Sequence, residues 1–261
     1  MSCHELIVYN PAERIIPMET QATTSQKQPQ KVYRFLDLIM ALFVTVLITS
    51  NIASSSKIVD WGFSIIGVRM AFDAGTLLFP ISYIFGDVLT EVYGFKNARR
   101  VIWTGFGALA LCALTLGLVR ALPGEANWLT YAGNDAFDAI LGGMSSFGIV
   151  TASLAAYLLG SYSNSVIMAA MKVLSGGKQL WMRTIASTIV GEGVDTVVFV
   201  LIATLAGVFP WEAFVSLTLT NYLFKVGVEA LFTPVTYRVV NLLKKEENED
   251  YFDIGTRFTP V

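Results

Sequence analysis

The chain has 261 residues, a formal net charge of -2 and a mean hydropathy of +0.59; 54% of its residues belong to the AVILMFWYC set and 15% are charged. Soluble domains are about 45–50% apolar with glycine included and about 25% charged, so both departures point to a membrane protein. No surplus of Lys and Arg exists to neutralise phosphates, which excludes a nucleic-acid partner. One histidine, His4, and two cysteines, Cys3 and Cys112, give no parts for a His/Cys metal centre or a Cys-His nucleophile, so neither a metal nor a cofactor is expected.

Residues 1–30 are polar with both charge signs and no apolar h-region, and read as a mobile cytoplasmic leader rather than a signal peptide. The run at 35–55 is the first long enough, at about 1.5 Å per residue, to cross the hydrocarbon core. SIIGV at 64–68 is short and interrupted by Arg69 and Asp73; the stretch 74–93 spans, with Pro80 expected to bend or break its start. Further spans are expected at 101–122, 146–171, 184–208 and 213–243, the last kinked at Pro234. Six helices result, occupying 31–243. The loop 123–143 carries aromatics and acids and is expected to lie over the external mouth or simply to connect two helices. Residues 244–261 read as a solvated, acidic cytoplasmic tail.

Eleven basic residues flank the segment ends on the leader side: Lys31, Arg34, Lys96, Arg99, Arg100, Lys172, Lys178, Arg183, Arg238, Lys244 and Lys245. Lys57, Arg69 and Arg120 are on the other. The positive-inside rule places both termini in the cytoplasm, as an even number of spans requires.

Ionisable groups at depth cost about 2.5–3.5 kcal/mol each on insertion scales and mark function. Asp87 and Glu91 are four apart on the second span, with Tyr83 one turn earlier; Glu192 and Asp195 share a face of the fifth; Asn221, Lys225 and Glu229 repeat every four on the sixth. Glu91 is near the cytoplasmic end, where it either contacts substrate or is simply wet. Lys225 lines a polar cavity or pairs with Asp195 or Glu229 to hold the bundle. Asn51 and Asn164 put carboxamides in spans, where unmet amides are costly. Arg99, Arg100 and Arg183 sit at the inner interface, where snorkelling to lipid phosphate is the plain alternative to a supporting role.

FGDVLTEV at 85–92 and VGEGVDTVVF at 190–199 echo each other, each in the second helix of a three-helix half, and transporters built from two halves bind substrate at the junction. Acids at depth suit a substrate with N–H donors or a positive charge, and Phe79, Tyr83, Phe85, Phe199 and Tyr222 offer faces for a flat heterocycle.

TSNIASSSKIVD at 49–60, LLFPISYIFGDVLTEVYGFKNARRVIWTGF at 77–106, LWMRTIASTIVGEGVDTVVFV at 180–200 and TNYLFKVGVEALFTPVTYRVVN at 220–241 resemble the queuosine precursor transporter family, also called the vitamin uptake transporter family. The likeness covers residues 35–243. It implies an all-α, six-helix inner-membrane importer of the 7-deazaguanine bases preQ0 and preQ1. The implied fold is related to the substrate-binding components of energy-coupling-factor transporters but works without their ATPase. The family's polar positions fall on Asn51, Asp87, Glu91, Arg99, Arg100, Asn164, Arg183, Asp195 and Lys225. Many relatives carry glutamine where this chain has Glu192.

The donor edge of a 7-deazaguanine, N1–H and the 2-amino group, suits one carboxylate, and O6 suits an amide or cation. Asp195 or Glu192 is expected on the donor edge, with Asp87 at the other end or carrying protons. Lys225 would balance charge and Asn51 or Asn164 would read O6. The alternatives are a substrate-binding subunit that needs an ATPase partner and, more remotely, an intramembrane enzyme. Besides substrate and lipid, a second copy in a homodimer is compatible with the sequence.

Overall fold

The computed structural model describes residues 32–65 and 68–260; the leader read from residues 1–30 lies outside them. Helix α1, Leu36–Ser56, buries Leu36, Ile39, Phe43, Leu47 and Ser50, one stripe at helical spacing. Leu38 and Leu42 on its other side are exposed, so the helix is apolar where it is not packed, as a lipid-facing helix must be.

The segment after α1 corrects the all-helical expectation. Strands β1, Ile58–Ile65, and β2, Val68–Asp73, pair antiparallel from Ile58↔Asp73 to Ile65↔Val68, with an irregularity between Asp60 and Ser64 where Gly62 adopts φ +74°. A run this short cannot span as a helix, and pairing with the returning chain satisfies its backbone groups.

A 3-10 turn, Ala74–Leu77, leads into α2, Phe79–Tyr93. Pro80 sits in the first turn of α2, where its missing N–H is no loss, so it starts the helix and the span is shorter than the expected 74–93. Gly94, φ +81°, turns the chain directly into α3, Phe95–Ala121. The loop 123–143 is largely helical: α4, Ala126–Tyr131, is capped by the Glu125 carboxylate, which accepts from the Asn127 and Trp128 amides at 2.9 Å, and α5 is Gly133–Ser145. The remaining helices are α6, Phe147–Leu174, α7, Leu180–Leu205, and α8, Phe214–Glu247, which runs through Pro234.

Four helical runs among the described residues are long and apolar enough to cross a membrane: Leu36–Ser56, Phe95–Ala121, Gly133–Leu174 and Leu180–Leu205. Apart from the hairpin, the chain is an all-α, multi-span membrane protein.

Helix α2 is the centre of the fold. Every residue from Asp87 to Tyr93 is buried, packed among the α1 stripe, Val101 and Leu109 of α3, Met168 of α6 and Val240 of α8. A helix covered on all sides carries its acids into the interior whichever way they point.

Helices α6 and α7 approach through paired glycines. A Cβ on Gly160 would stand 2.6 Å from the Asp195 Cβ, and one on Gly191 would stand 2.7 Å from the Asn164 Cβ. Gly160 and Asn164 are one turn apart on α6, and Gly191 and Asp195 one turn apart on α7, so each glycine receives the other helix's polar residue.

Six helix ends meet at one end of the bundle. The Arg34 and Phe35 amides before α1 donate to the Glu247 carboxylate at the end of α8, as does the Tyr93 hydroxyl at the end of α2. The Phe95 amide opening α3 donates to Asp253, and Arg183 in α7 joins Glu91 and the α6–α7 turn. Residues 248–260 lie across this end: Glu247 and Asp253 are buried as acceptors for the amides that open α1 and α3, while Tyr251, Ile254 and Arg257 stay exposed as a solvated tail would be.

Candidate functional site

The ionisable side chains of α2, α6, α7 and α8 form two layers, about one helical turn apart along α2. The deeper one contains Asp87, Asn164, Glu192, Asp195, Lys225 and Glu229. Asn164 Nδ2 donates to Asp87 Oδ1 at 3.2 Å, while Asp87 Oδ2 and the neighbouring Thr184 Oγ1 are buried without a hydrogen-bond partner among the described residues. Lys225 Nζ donates to the Asp195 carboxylate and stands 3.1 Å from Glu192 Oε2. The i, i+3 spacing of the two acids on α7 turns both towards one ammonium. Glu229 is buried one turn further along α8, its carboxyl within electrostatic range of Asp87 and Glu192.

The two sides of this layer differ in access. Asp195 and Lys225 side chains are 24% and 15% exposed, whereas Asp87 is sealed at 1%. The layer holds four carboxyls and one ammonium, which pairs with Asp195 and Glu192, so the layer favours a ligand that brings N–H donors or a cation.

The second layer is organised by Glu91, fully buried. Arg183 donates to it through Nε at 2.9 Å and Nη2 at 2.7 Å, the fork geometry of a guanidinium on a carboxylate. Lys244 Nζ is 2.5 Å and Lys172 Nζ 3.5 Å from Glu91 Oε1. Lys172 also donates to the Glu91 carbonyl and to Asp250 Oδ1. Arg183 Nη1 reaches the Lys178 carbonyl, and Nη2 also reaches that of Gly177. Glu91 is therefore not wet, and Arg183 does not snorkel: the tail covers the place where water or lipid phosphate would have been.

The other expected residues scatter. Asn51 donates to the Leu47 carbonyl of its own helix at 2.8 Å and makes no hydrogen bond to a described residue of either layer. Arg99 reaches the Thr259 carbonyl in the tail, and Arg100 and Asn221 are exposed. Of the two partners expected for Lys225, Asp195 and Glu229, the lysine pairs with Asp195. Tyr83 belongs to α2, and its side chain lies outside what the structure describes.

Three residues that sequence reasoning passed over complete the second layer: Lys172 and Lys244, which signalled only orientation, and Asp250, hidden in an acidic run. Thr184, Ser187 and Thr188 give α7 a buried polar strip facing the bundle. No group of three or more His, Cys, Asp or Glu suited to a metal ion occurs among the described residues.

A family model described as "Putative vitamin uptake transporter" matches residues 73–239. The chain is 27% identical over 224 residues to the "Queuosine precursor transporter" of Escherichia coli (strain K12), covering 85% of this chain and 92% of that one. It is 24% identical over 175 residues to the "Probable queuosine precursor transporter" of Bacillus subtilis (strain 168), covering 66% and 73%. The protein of the same description from Haemophilus influenzae is 26% identical over 175 residues, covering 66% and 70%. No solved structure matches the chain.

Proposed function

The chain belongs to the vitamin uptake transporter family, and from that premise we propose that it imports queuosine precursors, 7-deazaguanine bases, as a secondary transporter of the inner membrane. The three relatives bear the name of queuosine precursor transporters, and the matches run over most of their lengths. The observation that carries the reading is the deeper layer: Lys225 of α8 between Glu192 and Asp195 of α7, with Asn164 of α6 on Asp87 of α2.

The chemistry fits residue by residue. A carboxylate accepts N1–H and the 2-amino group of a 7-deazaguanine together, and the Asn164 amide or Lys225 donates to O6. Asp195 is the more accessible of the two α7 acids and takes the donor edge; Glu192 holds Lys225 in place. Asp87, bonded to Asn164 and beside Thr184, is left for the far end of the base, where the aminomethyl cation of preQ1 would meet it.

We read six spans in two three-helix halves, α1–α3 and α6–α8, a reading supported by the way the described helix ends alternate. The starts of α1, α3 and α7 and the ends of α2, α6 and α8 share one face. The ten described basic residues of that set, from Arg34 to Lys245, support a cytoplasmic reading of that face.

The test is equilibrium binding of preQ0, preQ1, guanine and queuine to the purified protein, with counterflow uptake in vesicles. The 7-deazaguanine precursors bind and are taken up, and Asp195→Asn and Lys225→Ala each weaken binding about tenfold or more. Folded protein that binds none of the four overturns the function; equal affinity in both variants and the parent overturns the site.

A further inference from the structure

Residues 250–260 are built into the same end of the bundle as the Glu91 layer, and their contacts divide between the two halves. On the first half, the Tyr251 amide donates to the Val92 carbonyl at 3.3 Å, and Asp253 Oδ2 accepts from the Phe95 amide at 2.9 Å. Phe258 packs edge-on against Phe95, and the Trp103 indole and Arg99 donate to the Pro260 and Thr259 carbonyls. On the second half, Asp250 accepts from Lys172 at 2.5 Å and stands 2.8 Å from Lys244, Lys172 lies over the Phe252 ring at 4.7 Å, and Tyr162 donates to the Phe258 carbonyl.

Two glycines receive the aromatic pair. Gly94, between α2 and α3, lies under the Tyr251 ring so closely that a Cβ would stand 2.2 Å from it. Gly177, between α6 and α7, has the Phe252 ring 2.8 Å from where its Cβ would be. Both have positive φ, +81° and +78°. Adjacent tail residues thus sit on the connections of opposite halves.

Charge ties the strap to the layer beneath. Lys172, Arg183 and Lys244 converge on Glu91, three cations of the second half on one carboxylate of the first. Asp250 supplies the second carboxylate, and its side chain is 47% exposed, the most accessible member of the group. Removing Asp250 leaves three cations facing one acid, and leaves Lys172 with the Phe252 ring as its contact with the tail.

We propose that residues 250–260 are a latch: docked, they hold the cytoplasmic ends of the two halves together over the Glu91 layer; released, they let that face open to the substrate layer. The latch rests on the transporter reading, since a passage from the deeper layer to the cytoplasm must pass between Glu91 and its three cations. Asp250 is the partly exposed acid through which the latch meets Lys172 and Lys244, and the Tyr251–Phe252 pair is what seats it.

The experiment reads access without substrate. In the full-length chain with Cys3→Ser and Cys112→Ser, a single reporter, Ser165→Cys, is placed between the two layers; Ser165 is 2% exposed and accepts from Thr90. Alkylation by a charged, water-soluble maleimide is followed with and without Asp250→Asn and Phe252→Ala. A latch that loses its charge-assisted contact spends more time open, so Asp250→Asn raises the alkylation rate about threefold to tenfold at an unchanged elution volume. Phe252→Ala raises it further.

A parent-like rate in folded Asp250→Asn overturns the latch, and that variant decides alone if Phe252→Ala does not fold. A tail that only stabilises the bundle would lower the melting temperature and leave the rate at the parent value. Uptake of 7-deazaguanines does not enter this readout. A rise in alkylation without uptake removes the substrate assignment and keeps the latch; uptake without a rise does the reverse.

Discussion

Gly191 of α7 lies against Asn164 of α6 so closely that a Cβ on the glycine would stand 2.7 Å from the Asn164 Cβ and 3.2 Å from its Cα. Asn164 in turn donates to Asp87 of α2. The crossing therefore sets the position of an amide that reaches the central helix, and Gly160 does the same for Asp195. Neither atom facing Gly191 is the end of a flexible chain, so a larger residue must push the helices apart.

Gly191→Val is expected to destabilise the protein by about 1–3 kcal/mol, the cost of overpacking a close contact, and to weaken ligand binding with it. Gly107→Val, in α3 with nothing within 4 Å of its Cβ position, serves as the control and leaves both near the parent. Melting curves in one detergent, paired with equilibrium binding, check the pair; equal effects at the two glycines would contradict the crossing.

Lys225 holds two carboxylates of α7 apart from each other electrostatically. Lys225→Met leaves Glu192 and Asp195 side by side with no cation, and breaking a buried pair from one side costs about 3–5 kcal/mol. Adding Asp195→Asn and Glu192→Gln to the same chain removes the stranded charges and recovers most of the loss. The measurement is the melting temperature of the single and triple variants, and a triple variant no more stable than the single would show that Lys225 acts by packing alone.

The residues at depth were legible in the sequence because an ionisable group in an apolar run is rare enough to stand out. Their partners were legible only in part. Lys225 was open to Asp195 or Glu229, and the choice of Asp195 across on α7 depends on helix rotation that no single-helix pattern contains. Glu91 and Arg183 looked solvated because each is near a segment end. What seals them is residues 248–260, whose polarity reads as a free tail until the unfilled amides at the start of α1 and α3 are seen to need acceptors. The hairpin at 58–73 was visible only as a run too short to span.

Asp250 gives stability a defined pH dependence. Burial would raise its pKa, but the hydrogen bonds from Lys172 and Lys244 and their charges outweigh it, holding the carboxyl below the usual range. A group depressed in the folded state contributes fully above its unfolded value, about 3.9, and loses that contribution as pH falls through the folded value. The stability difference between the parent and Asp250→Asn is therefore constant from neutral pH down to about 5, and closes below about 4. Melting temperatures of the two proteins across that range check the window; a difference that vanished near neutral pH would assign the effect to another group.

Glu91→Gln keeps the shape of the side chain and removes the charge on which Arg183, Lys172 and Lys244 converge. The amide can accept from one of them, but the other cations remain buried against a neutral group, so the expected loss is about 3–5 kcal/mol. Arg183→Gln in the same chain removes the guanidinium that forked onto the carboxylate, and the second substitution should cost far less than it does alone. The coupling measured by the double-mutant cycle is expected at the upper end of about 0.5–3 kcal/mol, because both changes fall in one network. A residue that served only to touch substrate would behave otherwise: Glu91→Gln would lose binding at an unchanged melting temperature, and the cycle with Arg183 would be additive.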